Sequence, residues 1–183
     1  MKRRSYSERV NALQDDPIHI LKTEHRMTLL RLESIERSLQ YLEAATAVRV
    51  SEEGCMGEAL RLKAALASLQ HGLGLHFLKE ESALFPVLAD YIGCADGAIA
   101  AMVDEHARIR RVLGNLREKI ADLCEHQGGE RAPVFSGLTG LAYETIGLLR
   151  LHICKENQIL FEICSVVLSE KEKRQIAEKI KSI

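Results

Sequence analysis

The chain has 183 residues, enough for a single domain to bury a full core without disulfides. Its formal net charge is -1 with both signs interspersed, which offers no electrostatic case for nucleic acid or a membrane surface and leaves a small ligand as the expected partner. Only three prolines, 4% aromatic residues and an abundance of Leu, Ala, Glu, Lys and Arg exclude a β-rich design and point to an all-α protein.

Residues 1–15 carry basic side chains but no apolar run, so they read as a solvated arm and not as a signal peptide or membrane anchor. The expected location is cytoplasmic. Asp16-Pro17 is a strong helix start, an acidic cap followed by proline at the first helical position. The stripe Ile18, Leu21, Leu29, Leu32, Ile35, Leu39 and Leu42 continues at helical spacing to about Val48. Ser51 opens a second long helix with Leu62, Leu66, Leu69, Leu73, Ala83, Leu84 and Val87 on its buried face, and Pro86 should kink its last turn.

A turn at Tyr91–Asp96 follows, with Asp96 as the cap of a third helix striped by Ile99, Met102, Val103, Ile109, Leu113, Leu116 and Ile120. Glu125–Pro133 reads as the one clear loop. A fourth helix runs from near Val134 to about Leu168, and Ser169 caps a short, charged helix that packs on the rest. Four long helices with short connections predict an up-down-up-down four-helix bundle over residues 16–168.

The chain also repeats itself. Leu75-His76-x-x-Lys79-Glu80-x-x-x-Leu84-Phe85 returns as Leu151-His152-x-x-Lys155-Glu156-x-x-x-Leu160-Phe161, and Glu24-His25 and Glu105-His106 precede the two copies. This is the pattern of a duplicated helical hairpin. A His and a Glu four residues apart lie on one helix face, where both can reach one metal centre.

His25 shares its face with Ile18, Leu21, Leu29 and Leu32; His106 with Ile99, Met102, Val103, Ile109 and Leu113. His76 sits among Leu69, Leu73, Leu84 and Val87, and His152 among Leu148, Leu149, Ile159 and Ile163. All four histidines are therefore expected to point inward, one per helix. Glu80 and Glu156, on the same apolar stripes, would be costly to bury without a cation. A single core histidine is commonly satisfied by an ordinary hydrogen bond, and one His-x3-Glu arises readily by chance. Six such residues in a correlated set suggest a pair of transition-metal ions held by His25, His76, Glu80, His106, His152 and Glu156.

Other candidates are set aside by position. His19 is flanked by Lys22, Thr23 and Arg26, and His126 lies in the loop; neither should be a ligand. His71, five residues before His76, is rotated about 140° from it. Lys79 and Lys155 are expected to be solvated, whereas Glu24 and Glu105 should back the ligands or face the surface. Cys154 points away from His152. The five cysteines are odd in number and widely spaced, so most read as core-filling thiols in a reducing compartment.

From Asp16 to about Leu168 these residues resemble the hemerythrin-like, His-His-Glu cation-binding domain family. The resemblance rests on Asp16-Pro17 and Glu24-His25-Arg26, on His76-Phe-Leu-Lys-Glu80-Glu-x-x-Leu-Phe-Pro86, on Met102-x-x-Glu105-His106-x-x-x-Arg110, and on Arg150-x-His152-Ile-x-Lys155-Glu156-x-x-x-Leu160-Phe161. It implies a non-haem diiron centre, oxo- or hydroxo-bridged, with the four histidines as terminal ligands and Glu80 and Glu156 as bridges. The family's oxygen carriers use His-x3-His on the third helix and an Asp five residues after the fourth-helix His. Here Met102 and Glu156 depart from that pattern, and the set of four histidines and two glutamates is more similar to the family's iron-centre repair proteins and iron or oxygen sensors.

Ions sharing two carboxylates are expected about 3.5–4 Å apart, close enough for one small ligand to bridge them. Two divalent irons and two glutamates leave a net cationic centre that attracts oxygen, nitric oxide or peroxide. Leu29, Leu73, Met102, Ile109 and Leu149 are candidate apolar walls. The expectation is a cytoplasmic module, monomer or homodimer, that binds or senses small oxidants or iron. The competing expectation is a diiron oxidase, peroxidase or iron donor to damaged clusters. A ferritin-like oxidase needs Glu-x-x-His, and no histidine here has Glu three positions before it.

Overall fold

The computed structural model describes residues 16–48, 52–93, 97–125 and 131–183. Four expectations fall outside these residues: the arm at 1–15, the helix start at Ser51, the cap at Asp96 with neighbouring Cys94, and His126. The described chain is all-α, with no strand among its residues. In order it contains α1 (Pro17–Val48), α2 (Glu52–Lys79), a π turn (Glu80–Leu84), α3 (Phe85–Ile92), α4 (Ala98–Glu125), α5 (Arg131–Lys155), a second π turn (Glu156–Leu160), α6 (Phe161–Val167) and α7 (Glu170–Lys181). No helix among them is long and apolar enough to cross a membrane.

Local chemistry explains several boundaries. The Asp16 carboxylate accepts the Ile18 N–H at 3.0 Å, satisfying one of the donors that the first turn of α1 leaves without a helical partner. Gly93 ends α3 at φ 76°, a left-handed conformation that glycine adopts without a Cβ clash. The fourth helix starts at Arg131, three residues earlier than its pattern suggests, because Pro133 sits in the first turn, where a missing N–H costs no hydrogen bond. Pro86 likewise falls in the first turn of α3, just after the π turn.

The described residues divide into two compact units. One comprises 16–27, Gly74–Glu105 and Ile153–Ile183; the other comprises Thr28–Leu73 and His106–His152. The first unit's core joins Ile18, Leu21, Leu84, Phe85, Leu88, Ile99, Met102, Leu160, Phe161, Cys164, Ile176 and Ile180. The second buries the periodic positions Leu32, Ile35, Leu39, Leu62, Leu66, Leu69, Ile109, Leu113, Leu116 and Ile120. Within the second unit, Gly72 leaves room for the Arg31 guanidinium, whose Nη1 lies 2.8 Å from where a Cβ would stand.

Six apolar positions differ from the helical pattern. Val103 and Ile159 are exposed, and Leu29, Val87, Leu148 and Ile163 are only half-buried. Ile159 lies inside the second π turn, where Leu160 is buried beside Phe161 and Cys164, and its exposure contrasts with the burial of Ala83 at the matching place in the first π turn. Among the described cysteines only Cys164 is buried; Cys55 and Cys124 are half-buried and Cys154 is exposed. Burial pushes the Cys164 thiol up to about 12, as expected of an inert packing group.

Helix α7 is fastened to the first unit by both apolar and polar contacts. Ser169 and Glu172 form a reciprocal capping box, the Tyr91 hydroxyl donates to Glu172 at 2.7 Å, and Ile176 and Ile180 enter the core. Lys179 donates to the Ser82 carbonyl, the group that a non-proline residue at 86 would have engaged in a regular helix. Hydrogen bonds from Ser169 and Tyr91 hold the Glu172 carboxyl below its ordinary 4.5. A depressed carboxyl pKa stabilises the fold above the unfolded value and loses that contribution as pH falls through the folded one. Acidification below about pH 4.5 should therefore loosen α7 first. Amide hydrogen exchange across 170–181 checks this, and Ser169→Ala should cost about 1 kcal/mol and speed the same exchange at neutral pH.

Candidate metal centre

Each copy of the repeated motif ends its long α-helix at the lysine and begins a π turn at the glutamate. The backbone records this directly, since the Glu80 carbonyl accepts from Phe85 N–H and the Glu156 carbonyl from Phe161 N–H, five residues on in each case. Pro86 does not account for the wider turn, because the second copy has Glu162 in its place. π turns are recurrent at functional sites, and here they start at the two buried carboxylates.

In the first unit the turns bring four donors together. His25, His76, Glu80 and Glu156 each offer a ligand atom within 4.8 Å of the others, and all four side chains are buried. The two imidazole Nε2 atoms stand 2.9 Å apart. Glu156 Oε2 is 3.0 Å from His25 Nε2, and Glu80 Oε1 is 3.3 Å from His76 Nε2. Both glutamates have 0% exposure. Phe161 covers the other side of His25, its ring stacked at 5.3 Å and 19°.

The outer nitrogens decide what the inner ones can do. His76 Nδ1 lies 2.8 Å from Glu24 Oε2, and His25 Nδ1 lies 3.0 Å from Asn157 Oδ1. Each outer partner is an acceptor, so each Nδ1 carries the proton, and in neutral imidazoles both Nε2 atoms present lone pairs to one another. Two lone pairs and two carboxylates facing one another in a dry interior require a positive charge between them. Burial opposes protonation of His76, but the Glu80 charge, hydrogen bonds with Glu24 and Glu80, and the Glu156 charge outweigh it and push its pKa up to about 10. Nitrogen and carboxylate donors of this kind suit a borderline divalent ion such as iron, zinc, manganese or cobalt.

Glu24 is bound on both sides. Its other oxygen accepts from Lys79, so Lys79, Glu24 and His76 form one chain. Burial raises the Glu24 carboxyl, but its hydrogen bonds and charge attraction to His76 and Lys79 prevail and lower it. Glu105 and Lys155 form the equivalent ion pair. The two lysines are thus engaged with glutamates and not simply solvated, because a half-buried carboxylate beside each draws its ammonium in. Asn157 escaped sequence reading: an Asn after a Glu carries no periodic signal.

The remaining two candidate ligands lie in the second unit. His106 and His152 are buried there at 0% and 2% exposure, with ring centroids 4.9 Å apart and nearly perpendicular. His71 is exposed and His19 half-buried, while Cys154 is exposed; none joins the cluster. Of the candidate walls, Leu73, Met102, Ile109 and Leu149 are buried.

The family model described as the hemerythrin HHE cation-binding domain matches residues 16–164. The chain belongs to this hemerythrin family. A relative, the iron-sulfur cluster repair protein DnrN of Neisseria gonorrhoeae, is 33% identical over 97 residues, which are 52% of this chain. The chain spans 60% of that relative's length. Hemerythrin-family membership accords with the His and Glu donor set of the first unit.

Removing one donor leaves the others facing an incomplete shell. His76→Ala and Glu156→Ala should each remove most of the bound metal, read as metal per chain after dialysis, while His71→Ala leaves the content unchanged. Bound metal should raise the thermal midpoint, and a chelator should lower it again.

Proposed function

We propose that this hemerythrin-family chain is a non-haem diiron protein that binds or senses small oxidants, oxygen, nitric oxide or peroxide. In this reading the four long helices form an up-down bundle. His25, His76, His106 and His152 serve as terminal ligands, and Glu80 and Glu156 as the bridging carboxylates. The observation that carries the proposal is the meeting of two Nε2 lone pairs with two fully buried carboxylates, an arrangement that calls for a cation.

The chain's own residues supply selection and orientation. Glu24 and Asn157 hold the two Nδ1 protons outward and so keep the Nε2 atoms directed inward. Phe161 and Met102 contribute apolar surface in the same unit, which favours small uncharged ligands over bulky or strongly hydrated ones. Bound iron would supply reversible one-electron chemistry and open positions for a small ligand. Met102 stands where the family's oxygen carriers have an imidazole, and one imidazole fewer favours sensing or repair over oxygen carriage.

A second reading, iron donation to damaged clusters, is favoured by the likeness to DnrN, an iron-sulfur cluster repair protein. The two readings separate experimentally. Protein from iron-supplemented cells should contain two irons per chain and show near-ultraviolet charge-transfer bands that bleach with dithionite. Stoichiometric, slowly reversing binding of nitric oxide or peroxide supports the sensor, and loss of iron to an apo-cluster acceptor supports the donor. Protein that retains no iron under either condition contradicts both.

A further inference from the structure

His25 is gripped on both ring nitrogens by two consecutive residues. Glu156 Oε2 lies 3.0 Å from Nε2, and Asn157 Oδ1 lies 3.0 Å from Nδ1. In a regular α-helix neighbouring side chains diverge by about 100°. Here both residues open the second π turn and reach opposite edges of one imidazole.

His76 is backed differently. Its Nδ1 meets the Glu24 carboxylate, itself paired with Lys79. One imidazole of the cluster therefore rests on a neutral amide and the other on an anion. A carboxylate behind a ligand imidazole draws on the ring proton and strengthens the electron donation of the far nitrogen, whereas an amide oxygen fixes orientation with little added donation. The duplicated motif makes the difference specific to one copy: the position matching Asn157 in the first copy is Glu81.

We propose that Asn157 is a positioning residue that fixes His25 with its Nε2 inward and keeps it a weaker donor than His76, so that the two imidazoles serve the metal unequally. The inference rests on the metal-binding reading above. Its consequence is a reduced ion favoured relative to a centre with carboxylates behind both rings.

The test uses the full chain with Asn157→Leu, Asn157→Asp and Glu24→Gln. Asn157→Leu should weaken cobalt(II) affinity 10–100-fold, with helical content by circular dichroism unchanged. Asn157→Asp keeps an acceptor and should restore affinity while lowering the midpoint potential of the iron-loaded protein. Glu24→Gln should raise that potential. In protein without added metal, the ring-nitrogen resonances of His25 in a 15N-histidine spectrum should shift in Asn157→Leu and move the opposite way in Asn157→Asp. Affinity, potential and His25 resonances all unchanged in both Asn157 variants would overturn the proposal, as would equal loss in Leu and Asp without rescue. Should Asn157→Leu fail to fold, the potential and resonances of Asn157→Asp decide it. A wild-type chain that binds neither cobalt nor iron contradicts the metal reading instead, and the imidazole resonances still report whether Asn157 holds His25.

Discussion

The constraint on which the first unit depends is electrostatic: two carboxylates cannot sit fully buried beside two imidazole lone pairs without a positive charge among them. A proton on His76 supplies one such charge, as the rise of its pKa to about 10 reflects. It satisfies only part of the cluster, because one N–H has one direction while His25 Nε2 and the Glu80 and Glu156 carboxylates all face the same space. A multivalent cation engages all four donors at once. The surrounding residues hold this frustrated arrangement in place: Asn157 and Glu24 fix the rings, and Phe161 stacks on His25.

The duplication shows how little sequence is needed to build such a site and how copies then diverge. Both copies place a π turn at the glutamate, and both flank it with a Glu–Lys ion pair. The first copy adds Pro86, whose missing N–H leaves the Ser82 carbonyl to Lys179 of α7. The second copy has Asn157 where the first has Glu81, and Asn157 Oδ1 meets His25 Nδ1.

Much of this was legible in the sequence because burial follows period. The stripe from Ile18 to Leu42, the inward histidines and the buried Glu80 and Glu156 all follow from 3.6-residue spacing. Asp16 and Ser169 announced helix starts through their own chemistry. Periodicity misplaces Val103 and Ile159, which are exposed, and it gives no sign of the two π turns, which no residue type marks in advance. Lys79, Glu24 and Asn157 act across distant segments, so their roles emerge only when the chain is folded.

Anomalous diffraction at the iron edge from crystals of iron-loaded protein tests the central claim most directly. The account predicts a strong peak bounded by His25 Nε2, His76 Nε2 and carboxylate oxygens of Glu80 and Glu156. A featureless map among those four side chains, or iron held only at surface residues, would contradict it.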